Sequence, residues 1–276
     1  MSVTTTPHAP QSPPAALRRP HDLPAGWGET ALTVVMPTYN EAENLPRMAE
    51  ALLALPLPGL RLLVVDDNSP DGTGEVAEEL AARHNTADRT RVTVLHRTVK
   101  DGLGRAYAAG MDQAVAEGAR YVLQMDADGS HPVEYVAQML GTALATGAGV
   151  VIGSRYVAGG RLAEEWGAHR KLLSRWANGY VSAVLRTGLR DVTAGFAMWR
   201  ADTVTAMRLS QVRSSGYSFQ VELKFQAVRA GYTVVEVPIH FEERQIGMSK
   251  MTLAVQLESA LLPWRMRWDA ARARRH

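Results

Sequence analysis

From Leu32 onward the chain alternates short β-branched runs with Ala-, Leu- and Glu-rich stretches of helical length, and this alternation admits few folds. Leu32–Met36, Leu62–Val65, Val92–Leu95, Tyr121–Met125 and Val150–Ile152 read as strands. Helices near 41–54, 74–84, 103–117 and 132–146 separate them, each opened by a polar or proline-bearing turn. The pattern is that of βαβ units, so an α/β fold with a Rossmann-like, mostly parallel sheet and helices on both faces is expected. A length of 276 residues with 46% apolar content allows one large domain or one and a half.

The flanks differ. Residues 1–29 hold Pro7, Pro10, Pro13, Pro14, Pro20 and Pro24 among Thr, Ser and Ala, a composition expected to stay disordered. After Gly153 the alternation breaks. Residues 161–187 read as one or two amphipathic helices, with Trp166, Leu172, Leu173, Trp176, Val181, Val184 and Leu185 set against Arg161, His169, Arg170, Lys171, Arg175 and Arg186. Asp191–Trp199 follows without a clear period, then a helix near 217–230, a strand through Thr233–Ile239, and a final helix from about Thr252. The expected division is a leader over 1–29, an α/β domain over 30–252 and a basic amphipathic helix over 253–276.

Composition excludes several functions. With 30 Lys+Arg against 28 Asp+Glu the net charge is +2, which opposes broad nucleic-acid binding. There is no cysteine, so disulfides, thiolate ligands and cysteine nucleophiles are out, and a cytoplasmic location fits. No signal-peptide pattern opens the chain, and no apolar run approaches the ~20 residues of a membrane span. The end is nevertheless basic and aromatic: Trp264, Arg265, Arg267, Trp268, Arg272, Arg274, Arg275 and His276 suit an anionic membrane interface.

Ligands of open α/β sheets collect at the carboxyl ends of strands. Four expected strands end in polar residues: Pro37-Thr38-Tyr39-Asn40-Glu41, Asp66-Asp67-Asn68-Ser69, Asp126-Ala127-Asp128 and Gly153-Ser154-Arg155. In a parallel sheet all four share one edge. Asp126 and Asp128, two carboxylates at i and i+2 after an apolar strand, repel each other unless a cation lies between them. An all-oxygen pair suits Mg²⁺ or Mn²⁺, and such an ion would neutralise a departing diphosphate. Gly72-Thr73-Gly74 loosely matches a dinucleotide-binding turn, but Asp66, Asp67 and Asp71 would repel a pyrophosphate. No Gly-Lys-Ser/Thr phosphate loop is present.

These segments, together with Pro70-Asp71-Gly72-Thr73, His131-Pro132, Tyr156, and Arg244 with Gly247, Ser249 and Lys250, resemble glycosyltransferase family 2, and within it the polyprenol-phosphate (dolichyl-phosphate) mannosyltransferases. The resemblance runs from about Leu32 to Thr252. It implies a GT-A fold, GDP-mannose as donor and an inverting transfer to a polyprenyl phosphate. By the resemblance, Pro37, Tyr39 and Glu41 hold base and ribose, with Val65 and Asp67 lining the same slot. Asp126 and Asp128 ligate the metal, and Ala127 meets the donor through its backbone. Arg155, Arg244 and Lys250 meet phosphates, and Arg170 and Ser174 contact the acceptor phosphate together with Arg155. Two positions depart from the family. Ser130 stands where Gln is common, leaving a hydroxyl, a water or His131 as third ligand, and Ser218 stands where relatives carry Lys.

The acceptor, a phosphate monoester with a second pKa of ~6, needs no strong general base. Direct attack on the anomeric carbon, with metal, Arg244 and Lys250 stabilising the leaving diphosphate, is the expected chemistry. Residues 161–187 and the C-terminal segment are the expected surfaces for peripheral attachment to the cytoplasmic face of a membrane, and a polytopic membrane subunit is a further expected partner. UDP-glucose as donor, or a catalytically silent nucleotide-sugar-binding subunit, remain the alternatives. A sugar-nucleotide pyrophosphorylase fits less well because no Gly-rich loop follows the first strand.

Overall fold

The computed structural model describes residues 23–163, 166–207, 209, 212, 217–241 and 253–272. Seven strands form one sheet: β1 (Leu32–Thr38), β2 (Leu60–Asp66), β3 (Val92–His96), β4 (Tyr121–Gln124), β5 (Val150–Ser154), β6 (Ala197–Arg200) and β7 (Val234–Pro238), in the order β3-β2-β1-β4-β6-β5-β7. Only β6 is antiparallel, to both of its neighbours, β4 and β5. Residues alternate strictly between faces along each strand. Val34, Met36, Leu62, Val64 and Leu123 enter one core beneath α1 (Leu45–Leu53), α2 (Thr73–His84) and α4 (Tyr135–Thr146). Val35, Leu63, Val65 and Val122 enter a second core beneath α3 (Leu103–Ala116), α6 (Ala201–Met207) and α7 (Tyr217–Arg229). The expected α/β fold with helices on both faces is therefore present.

The two faces are packed to contact. At Gly110 of α3 an added Cβ would lie 2.5 Å from Val35 and 2.7 Å from Val65, so only glycine lets α3 rest on β1 and β2. Trp199 of β6 donates its indole N–H to Gln124 of β4 at 2.8 Å, both side chains fully buried.

Three expectations need correction and a fourth is narrowed. Residues 23–29 are not part of a leader: Leu23 packs on the core, Trp27–Glu29 form a 3-10 turn, and the Gly59 amide donates to the Gly28 carbonyl at 2.9 Å. The first helix begins at Leu45 rather than near 41 because Asn40 takes a left-handed φ of 59° and Pro46 opens the helix. Of the one or two helices expected over 161–187, the described residues form one, α5 (Ala168–Leu185). The final helix, α8 (Leu253–Arg272), is no separate unit: Arg267 donates to the Val184 carbonyl of α5 at 2.8 Å and Trp264 to the Tyr180 hydroxyl at 2.9 Å.

Candidate active site

Strand order reverses between β1 and β4: the chain lays β2 and β3 on one side of β1 and returns to place β4 on the other. Such a switch opens a crevice at the carboxyl ends of the strands. Pro37–Glu41 leave β1 there, Asp66–Asn68 leave β2, and Asp126–Asp128 leave β4. The fourth expected strand end, Gly153-Ser154-Arg155, shares the edge because β5 runs parallel to β4 across the intervening antiparallel β6.

The two polar loops on the β1–β2 side brace each other. Glu41 N–H donates to Thr73 Oγ1 at 2.9 Å, Ala42 N–H to Asp71 at 3.2 Å, and Asn40 N–H to Ser69 Oγ at 3.2 Å. Ser69 in turn donates to Asp66 at 2.5 Å. Asp67 is buried against Arg97, which also pairs with Asp101. Burial pushes the Asp67 carboxyl up, while Arg97 opposes that shift. Lys100 lies over the Tyr39 ring, 3.1 Å from its centre. Arg97 and Lys100 were absent from the expected site, because nothing in a five-residue strand and its loop marks them as facing another strand's end. Val65 is fully buried and faces Gly110 of α3, so its side chain is core and does not line a slot. Pro37 is buried in register opposite Val65.

The carboxylate pair is organised from beneath. Tyr107 of α3, fully buried, donates its hydroxyl to Asp126 Oδ1 at 2.6 Å. Burial and the Asp126 charge hold the Tyr107 phenol well above its ordinary value, so it remains a donor. The ring stacks on Phe219 of α7 with centres 6.4 Å apart. Gly104 permits this approach, since a Cβ there would lie 2.9 Å from Phe219. Asp128 Oδ1 accepts from the Ser130 amide at 3.0 Å and from its hydroxyl at 2.6 Å, across Gly129 at a left-handed φ of 80°. Ala127 is buried, leaving its backbone as the group it can offer. Arg47 of α1 covers the loop: its guanidinium would meet a Cβ at Gly129 at 2.7 Å.

His131 accepts the Asp126 amide proton on Nδ1 at 2.9 Å. The ring proton therefore sits on Nε2, which lies 4.0 Å from Asp126 Oδ2. A nitrogen that carries the proton is closed to a metal, so His131 is not the third ligand. Ser130 is buried and its hydroxyl donates to Asp128, which leaves its oxygen lone pairs as the group it can offer a metal. Among the described residues no group of three or more His, Asp or Glu could hold a metal. Two hard carboxylates still fit Mg²⁺ or Mn²⁺, which commonly take one or two carboxylates and leave other positions to phosphate and water.

The opposite side of the crevice is built by the loop that leads into β6. Asp191, fully buried, receives the Arg155 amide at 2.9 Å and two guanidinium nitrogens at 2.8 and 2.7 Å. Arg155 thus meets any phosphate already paired with a carboxylate. Glu236 of β7 fixes this loop by accepting the Arg190 and Asp191 amides, each at 2.8 Å. Beneath it lies Lys224 of α7, fully buried, its ammonium donating to the Ala194 carbonyl at 2.6 Å; burial pushes it down to about 7. Arg170 stacks on Trp166 at 3.8 Å. Ser174, one turn on, receives the Tyr156 hydroxyl at 2.6 Å. Ser218 lies near the start of α7. Arg244, Gly247, Ser249 and Lys250 lie outside the described residues.

Residues 33–205 match the glycosyl transferase family 2 domain. The chain is 44% identical over 241 residues to a polyprenol monophosphomannose synthase of Mycolicibacterium smegmatis, covering 84% of this chain and 88% of that protein. It is 44% identical over 245 residues to an undecaprenyl-phosphate mannosyltransferase of Micrococcus luteus, covering 87% and 97%. Among solved structures, mannosyl-3-phosphoglycerate synthase from Rubrobacter xylanophilus is similar in fold, with a TM-score of 0.61 at 18% identity over 86% of this chain and 72% of that one. Glucosyl-3-phosphoglycerate synthase from Mycobacterium tuberculosis, solved with Mn²⁺, uridine-diphosphate-glucose and phosphoglyceric acid, also reaches 0.61, at 17% identity over 85% and 79%. The crevice at the strand switch, the carboxylate pair after β4 and the match along 33–205 agree: this chain belongs to glycosyl transferase family 2.

Proposed function

We propose that the chain transfers mannose from GDP-mannose to a polyprenyl monophosphate with inversion at the anomeric carbon. The observation that carries this reading is the 44% identity, spanning 84% and 87% of the chain, to two proteins named for polyprenyl-phosphate mannose synthesis. The site offers cations and two carboxylates rather than a nucleophile and base, which suits an acceptor that arrives ionised. An acceptor phosphate oxygen forms the bond to C1 as the bond from C1 to the β-phosphate oxygen breaks, and GDP leaves.

Asp126 and Asp128 would hold a divalent cation, which supplies Lewis-acid neutralisation of the diphosphate. Tyr107 orients Asp126, and Ser130 orients Asp128. Pro37, Tyr39, Glu41 and Asp67 form the nucleoside side of the crevice, with Arg97 and Lys100 alongside. Arg170, Ser174 and the Asp191-bound Arg155 receive the acceptor phosphate, and Arg244 and Lys250 the leaving diphosphate. No helix among the described residues is long and apolar enough to cross a membrane. Peripheral attachment falls to the exposed Leu172, Leu173 and Trp176 of α5 and Leu261, Trp264 and Trp268 of α8, one surface because the two helices pack together.

The test is donor discrimination. Purified protein, Mn²⁺, a short-chain polyprenyl phosphate and either radiolabelled GDP-mannose or UDP-glucose are scored for label entering the organic phase. Label from GDP-mannose alone is expected. Label from UDP-glucose alone replaces the donor, and no label from either favours a silent binding subunit. Asp128→Asn, which keeps an acceptor for Ser130 while removing the charge, should lower the rate by roughly 10²-fold or more.

A further inference from the structure

Beside the apolar stripe of α5 runs a second stripe of different chemistry. Arg175, Gly179 and Ser182 recur at i, i+4 and i+7 and so share one face of the helix, and Arg186, the left-handed residue that ends it, follows at φ 55°. With Tyr156, Gly188 and Arg190 they line a cavity of about 750 Å³. No carboxylate is among its described lining residues. Two carboxylates of the adjoining loop and strand are turned to other work: Asp191 is buried on Arg155, and Glu236 accepts the amides of residues 190 and 191. Arg175, Arg186 and Arg190 are the charged side chains among the described lining residues, with the ring of Tyr156 beside them. Arg175 lies 5.8 Å from the centre of that ring.

Gly179 is the second, independent observation. A glycine inside an 18-residue helix weakens it relative to alanine, and such a residue normally earns its place by close packing. Here an added Cβ would meet nothing within 4 Å, and the residue is exposed. Packing does not require this glycine, whereas an open groove between Arg175 and Arg186 does. Gly188, at a left-handed φ of 71°, also has nothing within 4 Å and turns the chain so that Arg190 returns to the same opening.

We infer that this groove is a binding site for the phosphate headgroup of an anionic phospholipid, distinct from the acceptor contacts. Neither Arg170 nor Ser174 lines it. It borders the Leu172–Trp176 stripe, so a bilayer that receives those side chains presents its headgroups at the level of the arginines. This rests on the membrane attachment proposed above, and it assigns a lipid class to the surface rather than to the reaction.

Flotation of the full chain on phosphatidylcholine vesicles with and without phosphatidylglycerol tests the inference. The wild type should partition more strongly onto the anionic vesicles. Arg186→Gln/Arg190→Gln should weaken that partition by roughly 25-fold, at about fivefold per arginine, with binding to neutral vesicles unchanged. Gly179→Leu, whose Cβ meets nothing within 4 Å and whose branched side chain would occupy the groove, should abolish the anionic preference while keeping all three arginines. Equal partition of wild type and both variants onto phosphatidylglycerol vesicles overturns the site. So does displacement by millimolar inorganic phosphate at constant ionic strength, which would make free phosphate the ligand. Transfer to a short-chain acceptor in detergent is read in parallel and should be unchanged in both variants. A wild type that binds as expected but transfers no mannose would fail the catalytic reading and leave the headgroup site standing.

Discussion

Tyr107→Phe isolates what one buried hydroxyl does for the carboxylate pair. Phenylalanine keeps the ring stacked on Phe219 and removes only the donor to Asp126 Oδ1 at 2.6 Å. A hydrogen bond to a charged acceptor contributes roughly 1.5–3 kcal/mol. The Asp126 side chain is 24% exposed, so water can take the place of the phenol, which lowers the net loss to about 1–2 kcal/mol. If that energy holds Oδ1 and directs Oδ2 into the crevice, its loss appears as a roughly 5- to 30-fold weaker apparent affinity for Mn²⁺. Calorimetric titration of Mn²⁺ into protein saturated with GDP measures this directly, and the Mn²⁺ dependence of transfer measures it again. The thermal midpoint should fall by only a few degrees. Unchanged Mn²⁺ affinity and unchanged transfer in a folded variant would refute a positioning role and leave Tyr107 as core packing.

Three further perturbations address the acceptor side and its support. Asp191→Ala removes the carboxylate that neutralises the largely buried Arg155 guanidinium, a loss of roughly 3–5 kcal/mol that should lower the thermal midpoint by roughly 10 °C. Lys224 is ordinarily protonated up to 10.5 but is pushed down to about 7 in the fold by burial, with Asp191 and Glu236 opposing and Arg155 reinforcing that shift. The unfolded chain therefore binds the extra proton between those values, and stability should rise with pH across that window by on the order of 1 kcal/mol per unit. Urea midpoints of wild type and Lys224→Met at pH 7, 8.5 and 10 check this, and parallel curves would exclude the lysine as the source. Gly195→Ala would bring a Cβ to 3.2 Å from His131, whose ring is held by Phe196 at 5.1 Å between centres. It should reduce transfer by more than its small effect on the thermal midpoint, and an active variant with a lowered midpoint would reverse that assignment.

Most of the parallel sheet was legible because its signal is local. β1, β2 and β4 are apolar runs whose ends are marked by the change to Pro37, Asp66 and Asp126, and β3 is a short alternating β-branched run. β6 was not legible: Ala197–Arg200 is four residues long, and its strand state depends on pairing with both β4 and β5. Asp126 and Asp128 stood out through their spacing, whereas Tyr107, Arg47 and Arg97 carry no such mark. Tyr107 lies nineteen residues from Asp126 in sequence and meets it only because Gly104 and Gly110 let α3 press against Phe219 and the sheet. Asp67 and Arg155 were legible as residues of the site but not as ion-paired ones, since their partners Arg97 and Asp191 come from other elements.

The antiparallel β6 has a consequence for the site itself. A strand that joins a parallel sheet in the opposite sense must enter from the carboxyl edge, so its leading loop, 191–196, lies where substrates gather. That loop touches both halves of the crevice. Asp191 holds Arg155, and the Thr193 amide donates to Asn178 of α5 at 3.1 Å, on the α5 side. Gly195 packs on His131, whose Nδ1 receives the Asp126 amide, on the carboxylate side. Lys224 and Glu236 anchor the same loop from α7 and β7 through buried or charge-assisted hydrogen bonds. A displacement of these six residues would therefore move Arg155 and Asp126 together, which ties the two sides of the crevice through one segment rather than through the sheet.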